Sequence, residues 1–292
     1  MSFAPGQEQA TRIADESDGA RAFDARALFA YLPKATWLAP VAVLGGAVSS
    51  GAALARPGWM LTLAMAMLLS LAWVGVWGTI AGVNWSAPLS LWRRWTQGAP
   101  LRTLPYTKPD SDAAYVSLRI GQLVNWLERE LLPRYGAALL FGATGLAITI
   151  VLAAALGPAA TLLAIGAICL AQVAVVACRG DGAPSAILEG ATVVGLPMLL
   201  GAATFAPVAP DVWLVSVAVA VAFAGIRAGA PRTRNTGYAL AVLAAALTRQ
   251  PISAFVLATL WAPSLILGLS RHNYGWLAVV LLAFAVARAA VG

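Results

Sequence analysis

The chain has 292 residues, of which 60% are hydrophobic and 11% charged, with a formal net charge of +7. A soluble domain of this length carries about 25% charged residues, so the composition excludes an ordinary soluble fold and indicates an integral membrane protein. The positive charge does not indicate nucleic acid, because the basic residues sit in short polar segments between apolar runs.

Residues 1–34 hold Glu8, Asp15, Glu16, Asp18 and Asp24 and lack the apolar core of a signal peptide. They are expected to form a cytoplasmic tail, with a short interfacial helix over 22–32. Residues 35–292 are expected to form the transmembrane domain. A membrane helix needs about 20 apolar residues. Candidate spans run over 37–55, 58–83, 135–156, 159–176, 186–205, 212–226, 237–247, 252–267 and 274–290. Arg56-Pro57 and Gly157-Pro158 mark turns. Over 113–132 the apolar residues Val116, Ile120, Leu123, Leu127 and Leu131 recur at helical spacing, which predicts a helix on the membrane surface leading into the third span. The fold class is therefore all-α and polytopic, with about nine transmembrane helices.

Two polar cytoplasmic loops are expected, over 84–134 and 227–236. With the N-terminus in the cytoplasm, every lysine and arginine falls on the inner side except Arg56, Arg249 and Arg288. That bias orients the chain as a multi-pass protein, placed in a bacterial inner membrane.

The longest polar interruption, Asn84 to Asp112, carries Arg93, Arg94, Arg102 and Lys108 among Trp85, Trp92 and Trp95. The second loop carries Arg227, Arg232 and Arg234. Arginine forks bind anionic heads in bidentate fashion, so Arg93, Arg94 and Arg102 are candidates to face Arg232 and Arg234 across a cavity mouth. The same residues also fit positive loops resting on anionic headgroups, and the tryptophans fit an interfacial belt. Glu189 lies near the start of an apolar span. A carboxylate there is costly unless it faces a cavity or a partner, and Arg179 is the nearest basic residue in sequence. Cys169 and Cys178 have no ligand-spaced partner and are expected to pack as small hydrophobes. His272 is the only histidine and is expected to be exposed.

The chain resembles the UbiA superfamily of intramembrane polyprenyltransferases over residues 36–292. The likeness lies in the span count and in the two polar loops after the second and sixth spans. It lies also in Asn84 at the end of the second span, Pro100-Leu101, Leu188-Glu189-Gly190 with Gly195-Leu196-Pro197 and Gly201, and Asn273-Tyr274-Gly275. It implies a UbiA-like bundle around a central cavity, with Asn84, Arg93, Arg94, Arg102, Glu189, Arg232 and Arg234 as substrate-binding candidates. The family's Mg²⁺-holding aspartate motifs are missing. No acidic residue occurs between Asp24 and Asp110 or after Asp211. No cofactor is expected, with Mg²⁺ entering only if Asp110 and Asp112 take part. The expected ligand is an isoprenoid or quinone-like lipid, bound without the usual prenyl transfer, in a protein that is a candidate subunit of a larger membrane complex. The alternatives are an active divergent isoprenoid transferase or cyclase, and a transporter or assembly factor. Membrane lipids and a protein partner in the membrane fit all three, and nucleic acid fits none.

Overall fold

The computed structural model of the chain describes residues 35–53, 55–81, 85, 111–177, 185–266 and 274–291. Asn84, Arg93, Arg94, Arg102, Asp110, Cys178, Arg179 and His272 lie outside the described residues, as does the expected helix over 22–32. The described residues are helical apart from turns, and no strand occurs among them.

Nine continuous helices occur among the described residues. They are α1 (Leu38–Ser49), α2 (Trp59–Ala81), α3 (Asp112–Leu156), α4 (Pro158–Ala177), α5 (Ala186–Phe205), α6 (Pro210–Arg227), α7 (Pro231–Leu247), α8 (Pro251–Ile266) and α9 (Tyr274–Ala289). Five of them, α2 to α6, are long and apolar enough to cross a membrane. Apolar side chains such as Leu61, Val151, Leu162 and Phe255 are exposed along the helices, which is how a lipid-facing surface presents itself.

Proline and glycine punctuate the fold. Pro158, Pro210, Pro231 and Pro251 each occupy the first position of a helix, where the missing N–H costs nothing. Gly157, at φ +106°, makes the turn from α3 to α4, a backbone conformation that side chains resist.

Three expectations need correction. The first span was expected over 37–55, but α1 has 12 residues. Ser49 Oγ and Ser50 Oγ bond back to Gly46 O and Ala47 O, and Gly51 at φ +70° then turns the chain. At about 1.5 Å per residue α1 reaches roughly 18 Å, short of a hydrocarbon layer of about 30 Å. The seventh helix starts at Pro231 rather than 237, so Arg232 and Arg234 belong to its first turn. Hydropathy registers only the apolar part of a helix, and proline placed the true start. The amphipathic stretch over 113–132 leads into the third span, as its spacing indicated. α3 is continuous over 45 residues and widens to a π-helical turn at Leu127–Leu131. Cys169 is exposed on α4 rather than packed.

The chain divides into two compact units, Met1–Ala30 with Trp85–Leu140 and Tyr31–Asn84 with Phe141–Gly292. In the first, the described part is chiefly the N-terminal stretch of α3. Ser111 caps it by accepting from Ala114 N–H at 3.2 Å, and Asp112 stands in the first turn, where the helix dipole favours an anion. Arg119 donates through Nε to Tyr115 Oη at 3.2 Å and through Nη1 to Gln122 Oε1. Asn125 Nδ2 donates to Gly121 O at 3.0 Å, and Glu130 pairs with Arg134 one turn on. The Trp85 and Tyr135 rings lie 5.5 Å apart.

In the second unit six helices close a ring. α1 packs on α5, α5 on α6, α6 on α7, α7 on α8, α8 on α9 and α9 on α1. α2 and α4 pack on each other and on α5. Met198, Phe223, Leu277, Leu281 and Phe284 are fully buried within this unit. α5 itself carries a π-helical turn at Ala191–Gly195, immediately before Pro197. Proline cannot donate to the carbonyl one turn back, and the wider turn absorbs that mismatch.

Candidate functional site

The charged groups of the ring gather at its two ends. α6 shows this directly, with Asp211 in its first turn and Arg227 in its last. Sixteen residues separate them, a rise of about 24 Å, close to the thickness of a hydrocarbon layer.

The Arg227 end is the candidate site. Glu189, in the first turn of α5, is buried at 3% exposure. Arg227 Nε donates to its two carboxylate oxygens at 3.2 and 3.3 Å. The side chain of Arg227 itself is 50% exposed. One face of the guanidinium is thus held by a buried anion and the rest faces outward. The pairing depends on close helix contact, since a Cβ on Gly190 would fall 2.4 Å from Ala220 O of α6. Tyr274 at the start of α9 completes this end. Its ring lies 5.5 Å from that of Phe223.

A tight hairpin brings α7 to the same place. Gly229 at φ +64° reverses the chain, and Ala230 N–H donates to Gly225 O at 2.8 Å. A Cβ on Gly225 would lie 2.1 Å from Arg234 N, so only glycine lets the two backbones approach this closely. Arg232 is exposed, and half-buried Arg234 donates through Nε to Asn235 Oδ1 at 3.3 Å. Tyr238, one turn on, is buried.

The electrostatics are one-sided. α7 begins at Ala230 with no side-chain cap and no acidic residue in its first turn. Its first N–H groups carry the positive end of the helix dipole. Two arginines added there raise a potential already unfavourable to cations, by roughly 0.3–1 kcal/mol each when exposed. Glu189 is the one carboxylate assigned to this end among the described residues. An anion placed here gains from Arg227, Arg232, Arg234 and the helix terminus together.

Of the seven candidates from sequence, Glu189, Arg232 and Arg234 fall at this one end. Arg179 was the expected neighbour of Glu189; among the described residues the partner is Arg227, 38 positions on. Tyr274 and Tyr238 were not anticipated, because a tyrosine at a span edge reads as an interfacial anchor. Asp112 is exposed at the start of α3. Among the described residues no group of three histidine, cysteine, aspartate or glutamate side chains gathers as a metal site. No protein-family model, curated protein or solved structure matches the chain.

Proposed function

We propose that this chain is a UbiA-like, multi-pass protein of a bacterial inner membrane, with a cytoplasmic N-terminus, that binds an isoprenoid lipid by an anionic head. In this reading the head sits at the Arg227 end, on Arg227, Arg232 and Arg234, and the apolar tail runs between the helices of the bundle. A quinone-like lipid fits the tail and gains less from the arginines. The observation that carries this reading is the pair of arginines on the uncapped first turn of α7 beside Arg227, whose partner is buried Glu189. A phosphate, with several acceptor oxygens, suits such a concentration of positive charge. Prenyl transfer of the family's usual kind is not part of the proposal, because the chain lacks the aspartates that would hold Mg²⁺ against a diphosphate.

The test is gentle solubilisation followed by native mass spectrometry and lipid extraction. The wild type is expected to carry a phosphorylated isoprenoid near one per chain. The double variant Arg232→Gln/Arg234→Gln is expected to retain roughly thirtyfold less, the effect of two cations each contributing on the order of 1 kcal/mol. Absence of any isoprenoid from the wild type, or equal retention by the variant, would sink the reading.

A further inference from the structure

The opposite end of the ring holds a groove unrelated to the site above. It is an open groove of about 660 Å³, lined by Arg56, Thr62, Met65, Leu156, Phe205 and Val208, among others. That volume lies within the roughly 300–1,000 Å³ typical of small-molecule sites. Along α5, Thr204 at the groove stands 15 residues from Glu189, or about 22 Å, so the two sites share no residue.

The groove's chemistry is that of an amphipathic anion. Arg56 is its one cation, and no carboxylate lines it. Arg56 Nη1 donates to Thr204 O at 2.7 Å, which fixes the guanidinium at the rim. A guanidinium has five N–H donors, and that of Arg56 makes no other hydrogen bond among the described residues. The two threonine hydroxyls already donate within their own helices, to Gly58 O and Leu200 O. Behind the rim the lining is mixed, with the apolar side chains of Met65, Leu156, Phe205 and Val208 interleaved with polar surface. On the helices that line it, Met60, Leu61 and Leu162 are exposed at 68%, 69% and 70%. One cation at the rim, with apolar side chains in the groove and on the exposed faces of the same helices, matches a lipid with an anionic phosphodiester.

We propose that this groove binds one anionic phospholipid, with its phosphate on Arg56 and an acyl chain along Met65, Leu156 and Phe205. The pairing is by charge complementarity: a zwitterionic lipid brings its own cation to the same rim and competes with Arg56 for the phosphate. The bound lipid bridges the ends of α2, α3, α4 and α5, so it also resists their separation.

The experiment uses the full chain, delipidated in detergent and titrated with phosphatidylglycerol or phosphatidylcholine, with bound lipid counted by native mass spectrometry. Wild-type protein is expected to take up one phosphatidylglycerol with about tenfold preference over phosphatidylcholine, the size of one charge-assisted hydrogen bond. Arg56→Gln is expected to lose that preference. Ala159→Trp keeps the charge but fills the groove from an exposed position, and is expected to lose the bound lipid. Arg249→Gln removes an exposed cation that does not line the groove and is expected to behave as wild type. The proposal is overturned by a wild type without preference, by Arg56→Gln retaining it, by Ala159→Trp binding normally, or by Arg249→Gln losing it equally. None of these outcomes bears on isoprenoid retention through Arg232 and Arg234.

Discussion

Arg288→Ala is expected to destabilise the folded protein by about 3–5 kcal/mol, the cost of leaving one member of a buried ion pair alone. Arg288 near the end of α9 reaches two other helices. Its Nε donates to Asp211 Oδ2 at 2.5 Å, its Nη2 to Asp211 Oδ1 at 3.4 Å, and its Nη1 to the carbonyl oxygen of Ser49. The side chains of Arg288 and Asp211 are only 16% and 5% exposed. Ser49 ends α1, so its carbonyl is one of the groups a helix terminus leaves without an internal partner. Asp211 sits in the first turn of α6, where the helix dipole stabilises its charge. One guanidinium therefore ties α9, α6 and α1 together and supplies the ring's closure at the end far from Glu189. Alanine strands a carboxylate and a carbonyl at once. The check is thermal unfolding in detergent, where a fall on the order of 10 °C is expected. The double variant Asp211→Asn/Arg288→Met removes both charges and is expected to recover most of the loss, since an uncharged pair leaves nothing buried and ionised. If Arg288→Ala melts within a degree or two of wild type, the pair is not holding the ring. If the double variant is as damaged as the single one, the loss is one of packing rather than of charge.

Helix positions were legible in the sequence where apolar runs met proline or glycine. The turns at Arg56-Pro57 and Gly157-Pro158 fell as expected, and the second and fourth to sixth spans fell close to their helices. The shortened α1 was not legible, because alanine and serine after Val48 continue an apolar average while the serine hydroxyls end the helix locally. The early start of α7 was hidden for the opposite reason. Its first turn is polar, and a hydropathy scan sees the side chains rather than the backbone. The site was half legible. Glu189 stood out because a carboxylate at a span's start is expensive, and Arg232 and Arg234 because they interrupt apolar sequence. Their assembly was not, since Glu189 meets Arg227 across 38 positions and Asp211 meets Arg288 across 77. No periodicity links such pairs. A weak signal existed all the same: each of these four charges stands alone at the edge of a span, and lone charges at span edges are candidates to find one another.

Glycine spacing carried information that composition concealed, and it leads to the second large effect. Gly46→Ala and Gly201→Ala are each expected to abolish the folded state in detergent, whereas Gly45→Ala is expected to be tolerated. α1 and α5 cross with backbones in contact. A Cβ on Gly46 would lie 1.9 Å from Met198 O, and a Cβ on Gly201 would lie 2.0 Å from Val43 O. Both obstacles are backbone atoms in helices, so no side-chain rotation relieves them. The helices would have to part, and Val43 and Met198, both fully buried, would lose the contacts that hold the crossing. In lipid this loss is not offset elsewhere, because helix association there relies on close packing rather than on the hydrophobic effect. Gly45 faces α9 instead. A Cβ there would lie 3.6 Å from Leu281 O, ordinary contact distance, and alanine favours a helix over glycine by up to about 1 kcal/mol. The neighbouring positions therefore control for each other, with the same substitution on adjacent residues and opposite expected signs. Size-exclusion profiles and melting temperatures of the three variants decide the matter. A Gly46→Ala protein that elutes and melts like wild type would show that α1 and α5 do not cross here. α5 also carries Glu189 at its other end, so a shift at Gly201 is expected to disturb the Arg227 pairing as well. Isoprenoid retention by any Gly201→Ala protein that does fold is therefore expected to fall, although Gly201 touches no part of that site.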